Sequence, residues 1–173
     1  MQNHPIRFGI YAGGMVVLLN LILYFVDKTL LASVSSLIEF VVVIFFMTKA
    51  VSATKLDFGG FISFKDAFKP AWLTFILATT IVVLYTFVLM NYIDPGLKDV
   101  IKAMQLDAFE QASEWLKIAE ADKEVMLTSI ENSDSFGMKS IAFGLPFSFI
   151  FPGVFYSMIM ALIMKKEQRI IQP

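Results

Sequence analysis

Four apolar runs, at residues 8–26, 30–47, 71–90 and 141–164, approach the length of a membrane-crossing helix and leave one sizeable polar segment, residues 94–137. A hydrocarbon core about 30 Å thick takes roughly 20 helical residues. In that solvent each backbone N–H and C=O must be paired within the protein, so such runs form helices packed on one another. The charge content agrees: 57% of the 173 residues are hydrophobic and 17% charged, against about 25% charged in soluble domains. The expectation is an all-α integral membrane protein, a single membrane domain over residues 1–173, with transmembrane helices at about 7–26, 30–48, 70–91 and 139–164.

The chain has no cysteine, which excludes disulfides, thiolate metal sites and a cysteine nucleophile. The first run exceeds the roughly 7–15 apolar residues of a secretory signal, and Asp27 and Lys28 interrupt it before any small-residue cleavage site. It is expected to stay as an anchor.

Orientation follows from the basic residues. Four spans put the N-terminus, residues 48–70 and the C-terminus on one side, with Arg7, Lys49, Lys55, Lys65, Lys69, Lys165, Lys166 and Arg169. The other side carries Lys28, Lys98, Lys102, Lys117, Lys123 and Lys139 among eleven of the fifteen acids. Cytoplasmic loops are enriched in Lys and Arg near span ends, whereas acids contribute little. Both termini are therefore expected in the cytoplasm, with residues about 92–138 on the far side of the membrane, in the periplasm if the cell is a diderm bacterium. Tyr11 and Trp72 near one boundary and Tyr24 and Tyr92 near the other fit interfacial aromatic belts.

The connections are informative in turn. Asp27, Lys28 and Thr29 leave room only for a tight antiparallel hairpin between the first two spans. Gly9 and Gly13 form a small-xxx-small pair through which another helix can approach closely, within the chain as the first choice or, alternatively, in a dimer. Before the third span, the pair Gly59 and Gly60 marks a break, and Ser63 is placed to cap a helix with Asp66 at its third position. Phe61, Phe64 and Phe68 then share one face and Lys65, Asp66 and Lys69 another. This is the pattern of a short cytoplasmic interfacial helix at about 63–69, ending at Pro70. Lys65 and Lys69 are its candidate contacts to anionic lipid or a partner; positional anchoring is the simpler role.

An extracytoplasmic helical insert is expected at about 95–134, between the third and fourth spans. Asp94 and Pro95 suit a cap and first position, and Leu97, Val100, Ile101, Met104 and Ala108 recur at helical spacing. This first amphipathic helix runs to about residue 113, with Trp115 and Leu116 in its continuation. A second, capped by Asp122, spans about 122–131 with Val125, Met126, Leu127 and Ile130. Some forty residues rarely build a core alone, so the insert should fold over the bundle as a cap. In the fourth span, Pro146 and Pro152 each remove a backbone hydrogen bond and favour a kink.

Glu39 is the ionisable side chain deep within a span. A central charged residue of this type costs roughly 2.5–3.5 kcal/mol even on a lenient insertion scale. Ser35 and Ser36 precede it by four and three residues, and Asn20 approaches from the first span. Asn20, Ser35, Ser36 and Glu39 form the candidate intramembrane polar cluster. It serves helix packing through hydrogen bonds or, alternatively, proton or cation exchange during transport.

Enzymatic chemistry finds few residues. The single histidine, His4, lies at the N-terminus, and no HExxH, GxSxG or phosphate-binding glycine loop occurs. The acids of the polar segment lack EF-hand spacing, and no basic patch with interleaved aromatics suggests nucleic acid. No catalytic, metal or cofactor residue is expected.

The order of these segments resembles the uncharacterised bacterial membrane-protein family DUF4199, a domain of unknown function. The resemblance rests on the stretch Gly59, Gly60, Phe61, Ile62, Ser63, Phe64, Lys65, Asp66, Ala67, Phe68, Lys69, on Tyr92, Ile93, Asp94, Pro95, and on a last span ending in Lys165 and Lys166. It implies the same four-span topology and no known activity. The expected function is structural or accessory, through contacts with the lipid bilayer, with further copies of the chain or with another membrane protein. The alternative is a small ion- or proton-coupled transporter or channel subunit using Glu39.

Overall fold

The computed structural model describes residues 3–166. Arg169, part of the charge comparison, lies outside the described residues. Six α-helices account for nearly all of the rest: α1 (His4–Val26), α2 (Lys28–Asp57), α3 (Phe64–Val88), α4 (Leu97–Leu116), α5 (Glu120–Asn132) and α6 (Met138–Met164), with α3 running into a π-helical turn, Leu89–Ile93. Among the described residues no strand forms; a lone antiparallel bridge joins Ile62 to Lys166. α1, α2, α3 with its π turn, and α6 are each long and apolar enough to cross a membrane.

The α1–α2 hairpin turns on one residue. Asp27 is extended, and its carboxylate accepts from the backbone N–H groups of Thr29 (2.6 Å) and Leu30 (3.0 Å), pairing two donors that a helix start leaves free. α2 continues to Asp57, beyond the expected end near residue 48, because Ala50 and Val51 are still buried. It stops where Gly59 and Gly60 take φ values of +71° and +89°, a region that side chains with a Cβ avoid.

α3 is the centre of the bundle and packs against α1, α2 and α6. Its buried stripe, Ala67, Ala71, Thr74, Ala78 and Val82, is built largely from small side chains, which bring neighbouring backbones near. α1 runs parallel to it: a Cβ at Gly9 would stand 2.7 Å from the Cβ of Leu77, and one at Gly13 2.7 Å from that of Ile81. The four-residue step is the same on both helices, so the glycine pair is an intrachain contact. α6 docks on the opposite flank with Gly153 against the Phe75 ring.

The separate interfacial helix expected at 63–69 does not form. Ser63 does cap, accepting from the Asp66 N–H at 3.2 Å and donating to its carboxylate at 2.6 Å. The helix it starts nevertheless continues through Pro70 into the third span. The physical reason is the stripe: Ala67, Pro70 and Ala71 are all buried, so packing carries the helix on where the sequence alone suggests a turn. α6 likewise runs through Pro146 and Pro152 as one helix.

At the far end, Leu97 of α4 is fully buried beside Leu31, Leu89 and Met90, with Val100 and Ile101 packed on the same cluster. Two capping expectations change. α4 begins at Leu97 rather than at Pro95, with Gly96 at the cap position. α5 begins at Glu120, which puts Asp122 inside the first turn, where a negative charge still favours the helix dipole. None of the α5 side chains is buried.

Candidate functional site

Glu39 lies eleven residues after Lys28 and ten before Lys49, or about 15 Å along the helix from either charge. It lines a half-open crevice of about 210 Å³ between α2, α3 and α6, together with Ser36, Phe40, Phe75, Thr79, Ser148 and Tyr156. The crevice exists because α6 docks unevenly. Its buried residues, Gly153, Ser157, Met160 and Ala161, all belong to the half nearer its C-terminus, while Phe143, Phe147, Ile150 and Phe151 of the other half stand exposed. At the packed end the Thr48 hydroxyl lies 3.5 Å from the Met160 sulfur, and Lys55 donates to the Met164 carbonyl (2.9 Å).

The crevice is mostly apolar, and its polar groups are underused. Glu39 takes part in none of the three ion pairs among the described residues. Thr48, Thr54 and Thr80 return their hydroxyls to the carbonyl four residues back, as helical threonines commonly do. Thr79 does not: its Oγ1 is buried without a partner among the described residues, an arrangement that typically costs about 1–3 kcal/mol. Pro152 has no N–H to offer the Ser148 carbonyl, and both residues line the crevice. Three aromatic rings complete the wall, with Tyr156 5.5 Å from Phe40 and 6.2 Å from Phe75 between centroids.

The four residues of the expected polar cluster are placed differently. Ser36 and Glu39 share the crevice, whereas Asn20 and Ser35 are not among its lining residues. Asn20 is buried in α1, and its side-chain oxygen has no partner among the described residues. Antiparallel pairing about Asp27 sets Asn20 level with Val34, about 7 Å along the axis from Glu39. Thr79, Ser148 and Tyr156 were not expected here. The one sequence signal for any of them is the Ser148–Pro152 spacing, by which a proline frees a carbonyl one turn earlier.

Lys65 and Lys69 lie one turn apart at the start of α3, and both are exposed. Lys69 borders an open groove of about 700 Å³ with Thr54, Asp57, Asp66 and Pro70, so acids stand beside the lysine. His4 Nε2 lies 3.1 Å from Asp57 at the same end.

At the other end Lys28 pairs with Asp94, and the Tyr24 hydroxyl donates to the same carboxylate at 3.1 Å. The bond from Lys28, helped by Tyr24, holds the Asp94 carboxyl below the usual range. Asn91 closes the insert: its amide donates to the Phe87 and Phe136 carbonyls (both 2.9 Å), and its oxygen accepts from Lys98 (2.7 Å). Among the described residues no group of three or more His, Asp or Glu is arranged to hold a metal ion.

Four helices long and apolar enough to cross a membrane, joined by a helical insert, are the architecture of a multi-pass membrane protein by length and composition. The chain belongs to the family described as "Protein of unknown function (DUF4199)", whose model matches residues 7–166, nearly its whole length. No curated protein and no solved structure shows significant similarity to it.

Proposed function

We propose that this protein acts by contact in the bacterial inner membrane, holding or positioning other membrane components rather than turning over a substrate. Both ends face the cytoplasm in this reading, and α4 and α5 lie outside. The supporting observation is the apolar surface the insert leaves uncovered: Trp115 is 87% exposed, Leu116 63% and Val125 66%. Such surface on a soluble segment marks a place where a membrane interface or another protein binds. The lipid bilayer is the first partner, and a second copy or another membrane protein is the next. No catalytic residue, cofactor or nucleic acid enters this reading.

Since the chain has no cysteine, single cysteines at Ser63 and Ser129 give a clean topology test in intact cells. An impermeant maleimide should label position 129 and spare position 63; the reverse pattern overturns the orientation. Trp115→Ser combined with Val125→Ser should weaken association with membrane partners in crosslinking while leaving the bundle folded. Unchanged crosslinking would remove the contact surface.

A second reading, transport through Glu39, is favoured by the carboxyl without an ion-pair partner at mid-depth. Four helices leave little room for a path, so it requires an oligomer. Proton-dependent flux into liposomes that disappears with Glu39→Gln would support it; a monomer that passes nothing argues against it.

A further inference from the structure

We infer that the crevice between α2, α3 and α6 is a binding site for a small lipophilic primary amine, entering sideways from the bilayer and held at Glu39. This stands on the crevice alone and does not depend on the contact function proposed above.

The lining fixes the chemistry. Most of it is apolar: Phe40, Val43, Ile44 and Phe75 fill the wall, so the ligand carries a hydrocarbon body. Its polar part meets a carboxyl and a hydroxyl, both of which accept hydrogen bonds. The Glu39 carboxyl has no cation among the described residues, the Thr79 oxygen has no partner, and the Ser148 carbonyl has lost its helical N–H to Pro152. A primary ammonium presents N–H donors and one positive charge, which complement an acidic carboxyl and an unpaired hydroxyl oxygen on residues that line the same crevice. The proton can sit on either partner without changing the complementarity, because amine with carboxylic acid and ammonium with carboxylate are the same hydrogen-bonded pair. The rings of Phe40, Phe75 and Tyr156 add the electron-rich faces to which a cation is attracted.

Size and depth narrow the source. A volume of about 210 Å³ lies below the roughly 300–1,000 Å³ of drug-sized pockets, which suits a single ring or short chain. Glu39 is about 15 Å from the charged residue at either end of its span, whereas the amine of a phospholipid headgroup stays at the surface. The occupant is thus a free amine that partitions into the hydrocarbon. Phe40, nearly half exposed on the outside of the bundle, marks the lateral opening.

Phenethylamine serves as the probe, and 2-phenylethanol, of nearly the same shape but lacking the ammonium, as its control. With the full chain in mild detergent, isothermal titration calorimetry should show saturable binding of the amine at least tenfold tighter than of the alcohol. Glu39→Gln should weaken the amine tenfold or more and leave the alcohol unchanged, and Thr79→Val should weaken the amine severalfold. Equal affinities for the two probes on the unaltered protein overturn the proposal without recourse to any variant. So does a folded, monodisperse Glu39→Gln protein that binds the amine as before.

Discussion

The Lys28 ammonium, at the tip of the α1–α2 hairpin, is ion-paired with the Asp94 carboxylate at the exit of α3, sixty-six residues further along the chain. Tyr24 donates to the same carboxylate one turn below. These contacts tie the hairpin to the root of the insert, directly over the cluster of Leu31, Leu89, Met90 and Leu97.

That ion pair makes part of the stability acid-sensitive. Lys28 and Tyr24 hold the Asp94 carboxyl below its usual value, so its contribution is fully present above the unfolded value of about 3.9 and is lost as the pH falls through the lower folded one. Asp94→Asn is expected to reduce the melting temperature at neutral pH and to flatten its decline below about pH 4. Thermal unfolding in detergent from about pH 3 to about pH 7 measures both.

Gly13 and Gly14 are adjacent yet should respond oppositely to alanine. A Cβ at Gly13 collides with the Cβ of Ile81 at 2.7 Å, while one at Gly14 meets nothing within 4 Å. Gly13→Ala is expected to destabilise by about 1–3 kcal/mol through overpacking. Gly14→Ala should be neutral or stabilising by up to about 1 kcal/mol, from helix propensity. Parallel unfolding curves of the two variants decide the matter.

Ser63→Ala removes the acceptor of the Asp66 N–H at the start of α3. A loss of about 1 kcal/mol is expected, and Ser63→Thr should restore most of it. If both variants behave alike in thermal unfolding, the hydroxyl is not the source of the effect.

At Gly60 the backbone has φ +89°, and a Cβ added there would meet nothing within 4 Å. Any penalty is conformational alone, about 1–2 kcal/mol for alanine. Asparagine, which tolerates positive φ better, should be milder than valine in the same unfolding assay; a ranking by side-chain size instead would contradict this origin.

The sequence reveals most about local matters. Ser63, Gly59 and Gly60 announce their cap and break because those roles depend on near neighbours in the chain. Gly9 and Gly13 announce a close approach, but only the packing names Leu77 and Ile81 as what approaches. Pro70 misleads in the opposite direction: a residue that ordinarily interrupts a helix is carried through one, because the buried alanines on either side hold the same face of α3 in the core. Glu39 stands out in the sequence by its charge, yet its companions do not. Thr79, Ser148 and Tyr156 come from two other helices and carry no pattern that links them to residue 39.

Four spans, the hairpin at Asp27 and the existence of a helical insert were determined by the sequence alone, since hydropathy, chain length and capping chemistry act within about a turn or a span. The tertiary structure decided which helix is central, how far α2 and α3 extend, and which acceptors surround Glu39. The last of these depends on the uneven docking of α6, whose small residues Gly153, Ser157 and Ala161 let its C-terminal half pack closely while Phe143, Phe147, Ile150 and Phe151 of the other half stay exposed. Helix contact in a membrane rests on shape rather than on hydrophobicity, and shape is a property of surfaces brought together from distant parts of the chain.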